Sequence, residues 1–195
     1  MERNNYNNFE ENYPWLTILL DTYEISDNLV QNHLDSIGEN IACHKGCSNC
    51  CKNYNVPMLE PELAGISWYV CEVSNEPIRS RIYDNLLNHN DSMDCPFLLD
   101  NDCSIYEVRP LICRQFYVKN NVCADGENVI ETRQHDIVSP NNEISKSCSM
   151  RLLDFWGNFN ENEKEILFES GFILKKSKPM HENDWTIIAN TMSIF

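Results

Sequence analysis

Four cysteines, Cys43, Cys47, Cys50 and Cys51, stand within nine residues of this 195-residue chain in the spacing C-x3-C-x2-C-C. Four soft donors on so short a segment can wrap a metal ion. Gly46 permits a sharp turn between them. Lys45 and Lys52 are expected to favour the deprotonated, ligating form of the neighbouring sulfurs. Adjacent side chains point in different directions in an extended backbone, so one tetrahedral ion takes both Cys50 and Cys51 only with an unusual turn. That implies a second metal, a cluster, or ligands recruited from elsewhere. Cys95, Cys103 and Cys113 are the recruits, with Cys148 farther on. Eight cysteines make two four-thiolate sites or one multinuclear site. Zinc and iron-sulfur clusters share thiolate ligands, so the metal stays open at this point. Metal would neutralise the repulsion among clustered thiolates, and binding is expected to contribute strongly to folding.

Two of the ten cysteines fall outside this set. Cys71, beside Trp68 and Val70, reads as a small buried hydrophobe on a helix face. Cys123, in Val122-Cys123-Ala124-Asp125-Gly126, reads as a turn residue and is the reserve should Cys148 not serve as the last ligand. His44 lies inside the cysteine segment, where four thiols already crowd the space. His33, His89, His135 and His181 have no ligand-like spacing and are expected to be surface or capped residues. Arg109 and Arg114 bracket Pro110 and Cys113. They are expected to donate to cluster sulfurs or backbone carbonyls, tuning the site, rather than to bind an anionic substrate. Tyr106 and Phe116 are expected to cover the site from water.

The elements that must position these residues are mostly helical. Apolar residues from Leu16 to Ile37 recur at three- and four-residue steps, with Gly38 as a C-cap, predicting one long helix with a possible break near Ser26. Residues 41–52 read as a loop. Glu60-Pro61-Glu62 opens a helix running through Trp68 to about Val73, and Pro77 starts another through Leu87. Phe97 to Tyr106 places Asp100-Asn101-Asp102 between two short apolar arms, a hairpin signal. Residues 120–147 are less readable. Two or three helices follow, with residues 161–165 as a solvated helix start. The fold class expected is mainly α with a small β-hairpin. One compact helical domain over residues 1–195 is organised around a cysteine-ligated metal site. Within it, 43–148 form the cysteine-cluster core, flanked by helical segments at 1–40 and 149–195.

Composition narrows the functions. The formal charge of -15, from 15 Lys plus Arg against 30 Asp plus Glu, repels nucleic acid and anionic membrane on average. The early apolar run at 15–20 is too short to span a bilayer, and the first 14 residues do not resemble a secretory signal. A cytoplasmic setting is therefore expected, where clustered cysteines mean metal or redox chemistry rather than disulfides.

The full pattern resembles the YkgJ-type CxxCxxCC cysteine-cluster family of zinc- or iron-chelating proteins. It comprises Cys43-x3-Cys47-x2-Cys50-Cys51, then Cys95-Pro96-Phe97-Leu98, then the run from Cys103-Ser104-Ile105-Tyr106 through Arg109-Pro110 to Cys113-Arg114-Gln115-Phe116. The resemblance spans residues 43–148 and implies metal binding through eight cysteines. Tyr117 stands where relatives often have Pro, and Cys148 lies between Ser147 and Ser149 rather than before a Pro-Gly pair. Some relatives, the flagellin lysine N-methylases, join such a motif to methyl transfer and an iron-sulfur cluster.

The expectation is a metal-binding protein that holds zinc or an iron-sulfur cluster for structure, storage, delivery or regulation. The alternative is an iron-sulfur-dependent enzyme using S-adenosylmethionine. Cys43-x3-Cys47-x2-Cys50 coincides with the [4Fe-4S] motif of radical enzymes, but the chain lacks their repeated strand-helix units and has no glycine-rich loop after a strand. A third class is an adaptor in which zinc replaces core packing and the acidic surface or carboxy-terminal helices bind a protein partner.

Overall fold

The computed structural model describes residues 6–44, 46–90 and 94–192. Its spine is α2 (Pro14–Ile37), which follows the short α1 (Asn7–Asn12). Proline occupies the first turn of α2, where its missing N–H costs nothing, and Gly38 ends the helix in the left-handed region at φ 62°. The helix runs unbroken past Ser26. Its mid-helix hydroxyls have partners: Thr22 donates to the Ile18 carbonyl at 2.8 Å, and Ser26 accepts from Gln115 at 3.1 Å.

Residues 41–52 are not all loop. Asn49–Asn53 form a short helix, α3, carrying Cys50 and Cys51. After β1 (Pro57–Met58) comes α4 (Glu60–Trp68), which continues into a π-helical turn at Tyr69–Val73 that no residue spacing announces. Helix α5 (Ile78–Asn88) precedes the predicted hairpin, β2 (Leu98–Leu99) and β3 (Asp102–Cys103), in which Leu98 pairs with Cys103. Asp100 and Asn101 take positive φ of 51° and 64°, as a two-residue type I′ loop requires. Next come α6 (Leu111–Gln115) and β4 (Tyr117–Val118), then α7 (Val129–Thr132) and β5 (Ile137–Val138), which pairs antiparallel with β4. The chain closes with α8 (Asn142–Leu152), α9 (Glu161–Glu169), α10 (Phe172–Lys175), β6 (Lys178–Pro179) and α11 (Trp185–Met192). Strand β6 returns to pair antiparallel with β1.

Packing follows the apolar faces. Helix α2 lies along α8 and meets α4 and α6, while α5 packs on α11. The main core gathers Leu16, Leu19, Leu20, Tyr23, Ile66, Phe97, Leu152 and Trp185, and Phe97 meets Trp185 edge-on at 5.1 Å. Gly65 of α4 lets Leu19 of α2 approach the helix backbone. A smaller cluster of Val30, Ile144 and Cys148 seals α2 against α8. The fold is thus mainly helical with small antiparallel strand pairs. Among the described residues, no helix is long and apolar enough to cross a membrane.

Candidate metal centre

Backbone pairing delivers the first cysteine. Ile41 forms a bridge with Lys119, Ala42 N–H donates to the Val118 carbonyl at 2.8 Å, and Val118 N–H donates to Cys43 Sγ at 3.3 Å. Gly46, at φ 82°, turns the chain as expected, and Cys47 N–H closes the turn on the His44 carbonyl. Helix α3 then presents Cys50 and Cys51. Cys95 N–H donates to the Cys51 carbonyl at 2.8 Å, which ties the hairpin approach to α3. Cys103 sits on β3, and Cys113 sits on α6. The start of α6 is held by Glu62, whose Oε1 accepts from Leu111 N–H at 2.6 Å while Oε2 accepts from Leu59 N–H at 2.7 Å.

Electrostatically the thiols fall into two sets that share Cys50. In one, Cys50 and Cys51 act on each other, as do Cys51 and Cys95, and the sulfurs of Cys103 and Cys113 lie within electrostatic reach of Cys50. In the other, Cys43 feels Cys47, Cys50 and Cys123. Seven of the eight sequence-predicted ligands are thereby linked.

Burial and thiol neighbours favour the protonated form of Cys43, Cys50, Cys51, Cys103 and Cys113. The hydrogen bond to Cys51, then burial, drives the Cys50 thiol upward. For Cys51, the hydrogen bond from Cys50 acts to lower the thiol, but the bond to Cys95, burial and neighbouring sulfur charge together raise it. Burial pushes Cys43 up to about 11 against the opposing Val118 N–H, and raises Cys103 and, well above the usual range, Cys113. The expected activation by Lys52 is not found, because its amino group turns to Asp125 at 3.2 Å. Lys45 lies outside the described residues. Among the described residues, no three His, Cys, Asp or Glu side chains already stand as a ligand sphere. The donor set nevertheless fits a thiolate-binding metal. It consists of soft sulfurs, partly or fully shielded from water and crowded so that the unmetallated anions would repel.

Cys148 is set apart. It is buried beside Val30 and Ile144, its Sγ accepts from Gln115 Nε2 at 3.6 Å, and Ser26 is its other polar neighbour. Burial pushes it up to about 11, and no cysteine is among the groups that act on it. Cys123, the reserve, lies within electrostatic reach of Cys47 and Cys50. Cys71 is buried in the main core, as expected.

The two arginines divide their work. Arg114 is buried and donates from Nη1 to both Asp27 oxygens, at 2.8 and 3.0 Å, from Nε to the Arg109 carbonyl at 3.0 Å, and from Nη2 to the Glu107 carbonyl. Arg109 donates to the Tyr106 carbonyl at 2.7 Å, stacks over the Tyr106 ring, and places positive charge near Cys103. Of the expected acceptors they use backbone carbonyls. Tyr106 is 58% exposed, too open to shield sulfur from water, whereas Phe116 packs against Tyr54 at the end of α3. His44 is exposed, its Nδ1 at 3.0 Å from the Ala42 carbonyl.

Two features escaped the residue pattern. His181 is buried rather than at the surface, its Nδ1 lying 2.7 Å from Nε2 of a stacked His89, and its neighbour Met180 places Sδ 3.7 Å from Cys95 Sγ. No spacing in the sequence joins residues so far apart. Glu62 was legible as an acidic residue near a helix start, but its burial and its second amide, from Leu111, were not.

Searches of curated proteins and of solved structures return no match. A family model, CxxCxxCC, described as "Putative zinc- or iron-chelating domain", matches residues 42–148, which is 107 of 195 residues and more than half of the chain. That span begins one residue before Cys43 and ends on Cys148. On this match the chain belongs to the CxxCxxCC family of zinc- or iron-chelating domains.

Proposed function

We propose that this metal-chelating domain holds zinc in mononuclear thiolate sites, and that the metal is structural. Cys43, Cys47, Cys50, Cys51, Cys95, Cys103 and Cys113 are the ligands of this reading. Cys148, the eighth expected ligand, has the weakest support, being held by Gln115 and Ser26. One observation carries the reading: Cys95 N–H donates to the Cys51 carbonyl at 2.8 Å, so the backbone already holds two thiol-bearing segments together. Zinc supplies four strong bonds and no redox chemistry. The protein supplies thiols on four separate segments, which ligation would join. In doing so it would replace hydrogen-bonded protons with a charge that relieves sulfur repulsion.

Cobalt substitution tests this reading. Co²⁺ added to metal-free protein should give intense thiolate charge-transfer and tetrahedral d–d bands that zinc abolishes, and Cys51→Ser should weaken both. Spectra of octahedral cobalt would contradict it.

A second reading, an iron-sulfur enzyme using S-adenosylmethionine, draws on a cavity of about 230 Å³ lined by Asp27, Gln31, Tyr106, Arg109, Arg114 and Tyr117. Asp27 and Glu107 balance its two guanidiniums in charge, Asp27 being paired with Arg114, so Arg109 is the cation that would meet the carboxylate of a small molecule. Calorimetric binding of S-adenosylmethionine to cluster-loaded protein, lost in Arg109→Ala, would support it.

A further inference from the structure

Helix α6 has five residues, too few to hold its own shape, so its position is set by what grips its two ends. Glu62 takes the Leu111 N–H at the first end, at 2.6 Å. At the other end Gln115 is buried, and its side-chain amide donates to Ser26 Oγ of α2 at 3.1 Å and to Cys148 Sγ of α8 at 3.6 Å. An amide nitrogen carries two N–H groups, and this pair of acceptors uses both. Ser26 and Cys148 are themselves buried, so water does not compete for the amide. The helices that bring the acceptors are fixed to each other. Arg151 of α8 donates to Asp21 of α2 at 2.6 and 2.9 Å, and Asn141 caps α8 by accepting from Ile144 N–H at 2.9 Å. Cys113 therefore lies on a helix pinned at both ends.

We propose that Cys148 serves as a hydrogen-bond acceptor for Gln115 and not as a metal ligand, and that Gln115 is the positioning residue that seats Cys113 at the metal centre. The seating of Cys113 rests on the thiolate-zinc reading above, whereas the role of Cys148 departs from the eight-cysteine set that the family resemblance implies. The surroundings of Cys148 suit an acceptor. Val30 and Ile144 pack on it, Leu29, Leu34 and Tyr117 border the cluster, and the group aimed at its sulfur is an N–H, whose positive end repels a cation. To reach a metal, the sulfur would have to leave Gln115, stranding a buried amide, and α8 would have to draw away from the Arg151–Asp21 contact. As an acceptor the sulfur needs no metal, so the junction of Ser26, Gln115 and Cys148 places Cys113 before an ion arrives. Ligation then orders less of the chain, which favours tighter binding.

The test titrates full-length metal-free protein with Co²⁺ and reads affinity and the thiolate charge-transfer intensity at saturation, which rises with the number of bound sulfurs, with circular dichroism to verify the fold. Cys148→Ser keeps an acceptor, and Cys148→Val fills the space without a donor atom for metal. Both should keep the wild-type intensity, whereas Cys113→Ser should lower it. Gln115→Met, similar in size and without N–H groups, should weaken Co²⁺ about 10-fold to 100-fold. Ile144→Val, which loosens the same seal without touching the amide, should leave affinity unchanged. In metal-free protein Gln115→Met should also speed alkylation of Cys113, a readout that needs no metal. Lower intensity in either folded Cys148 variant would make Cys148 a ligand and overturn its assignment. Unchanged affinity in Gln115→Met, an equal loss in Ile144→Val, or an unchanged Cys113 alkylation rate would overturn the positioning role. A wild type without tetrahedral cobalt bands would instead overturn the underlying thiolate reading, with the alkylation rates still deciding whether Gln115 positions Cys113.

Discussion

Glu62 holds the Leu111 amide at 2.6 Å while its other oxygen holds the Leu59 amide at 2.7 Å, so one buried carboxylate joins the starts of α4 and α6. Cys113 follows Leu111 by two residues, which makes Glu62 a positioning residue for the centre. Burial raises its carboxyl to about 7, with the two amides and Arg114 opposing. Its folded value therefore exceeds its unfolded one. The folded state binds more protons between about pH 4.5 and 7, and stability falls as pH rises through that window and levels off above it. Thermal melts at several pH values should show this slope in the wild type and lose it in Glu62→Gln. That variant should also lose about 1–3 kcal/mol near pH 7, because an amide can accept from only one of the two N–H groups with the same oxygen geometry. Equal slopes in both proteins would contradict the assignment.

Arg114 should matter more than its ion pair. Its side chain is 1% exposed against 39% for Asp27, and its guanidinium also lies 4.0 Å over the Tyr23 ring and holds two backbone carbonyls. Arg114→Met should cost on the order of 2–4 kcal/mol by denaturant unfolding, since it strands buried acceptors. Asp27→Asn should cost about 1 kcal/mol or less, because that carboxylate keeps access to water. Equal losses would show that the carbonyl contacts contribute nothing.

Gly65 is the point of closest approach between α4 and α2. A Cβ there meets Leu19 Cδ2, the end of a fully buried side chain. Alanine favours helix by about 1 kcal/mol over glycine, yet forcing Leu19 aside costs about 1–3 kcal/mol in a packed core. Gly65→Ala should therefore lower the melting temperature, whereas the same change made in a Leu19→Ala background, where the obstructing methyl is gone, should cost less or nothing. A single variant as stable as wild type would place slack at this contact.

What the sequence disclosed was local. The three- and four-residue spacing from Leu16 to Ile37, the Gly38 cap, Pro77 before α5 and the Asp100-Asn101 turn each act within one element, and each stands where expected. Helix α3 was missed because its five residues are too few to show a period, and the π turn because nothing in Tyr69–Val73 distinguishes it from α-helix. Residues 118–136 were unreadable because Asn49, Tyr54 and Arg133 shape them through polar side chains, two of them reaching in from more than 70 residues away. The same cause separates Cys148 from Cys123. Both look like late ligands in the chain, and only tertiary packing sends one to Gln115 and the other to Cys47. Lys52 was misread for a simpler reason, since an exposed carboxylate at Asp125 competes for its charge.

Elemental analysis for zinc and iron, with labile sulfide and an absorption spectrum, on full-length protein purified without oxygen, tests metal binding by the cysteine cluster most directly. Stoichiometric zinc, no labile sulfide and no visible band is the expected result, with the bound metal shielding the cluster thiols from alkylation until a chelator removes it. Protein that is metal-free as isolated, takes up neither metal on addition, and keeps its thiols equally reactive throughout would contradict the account.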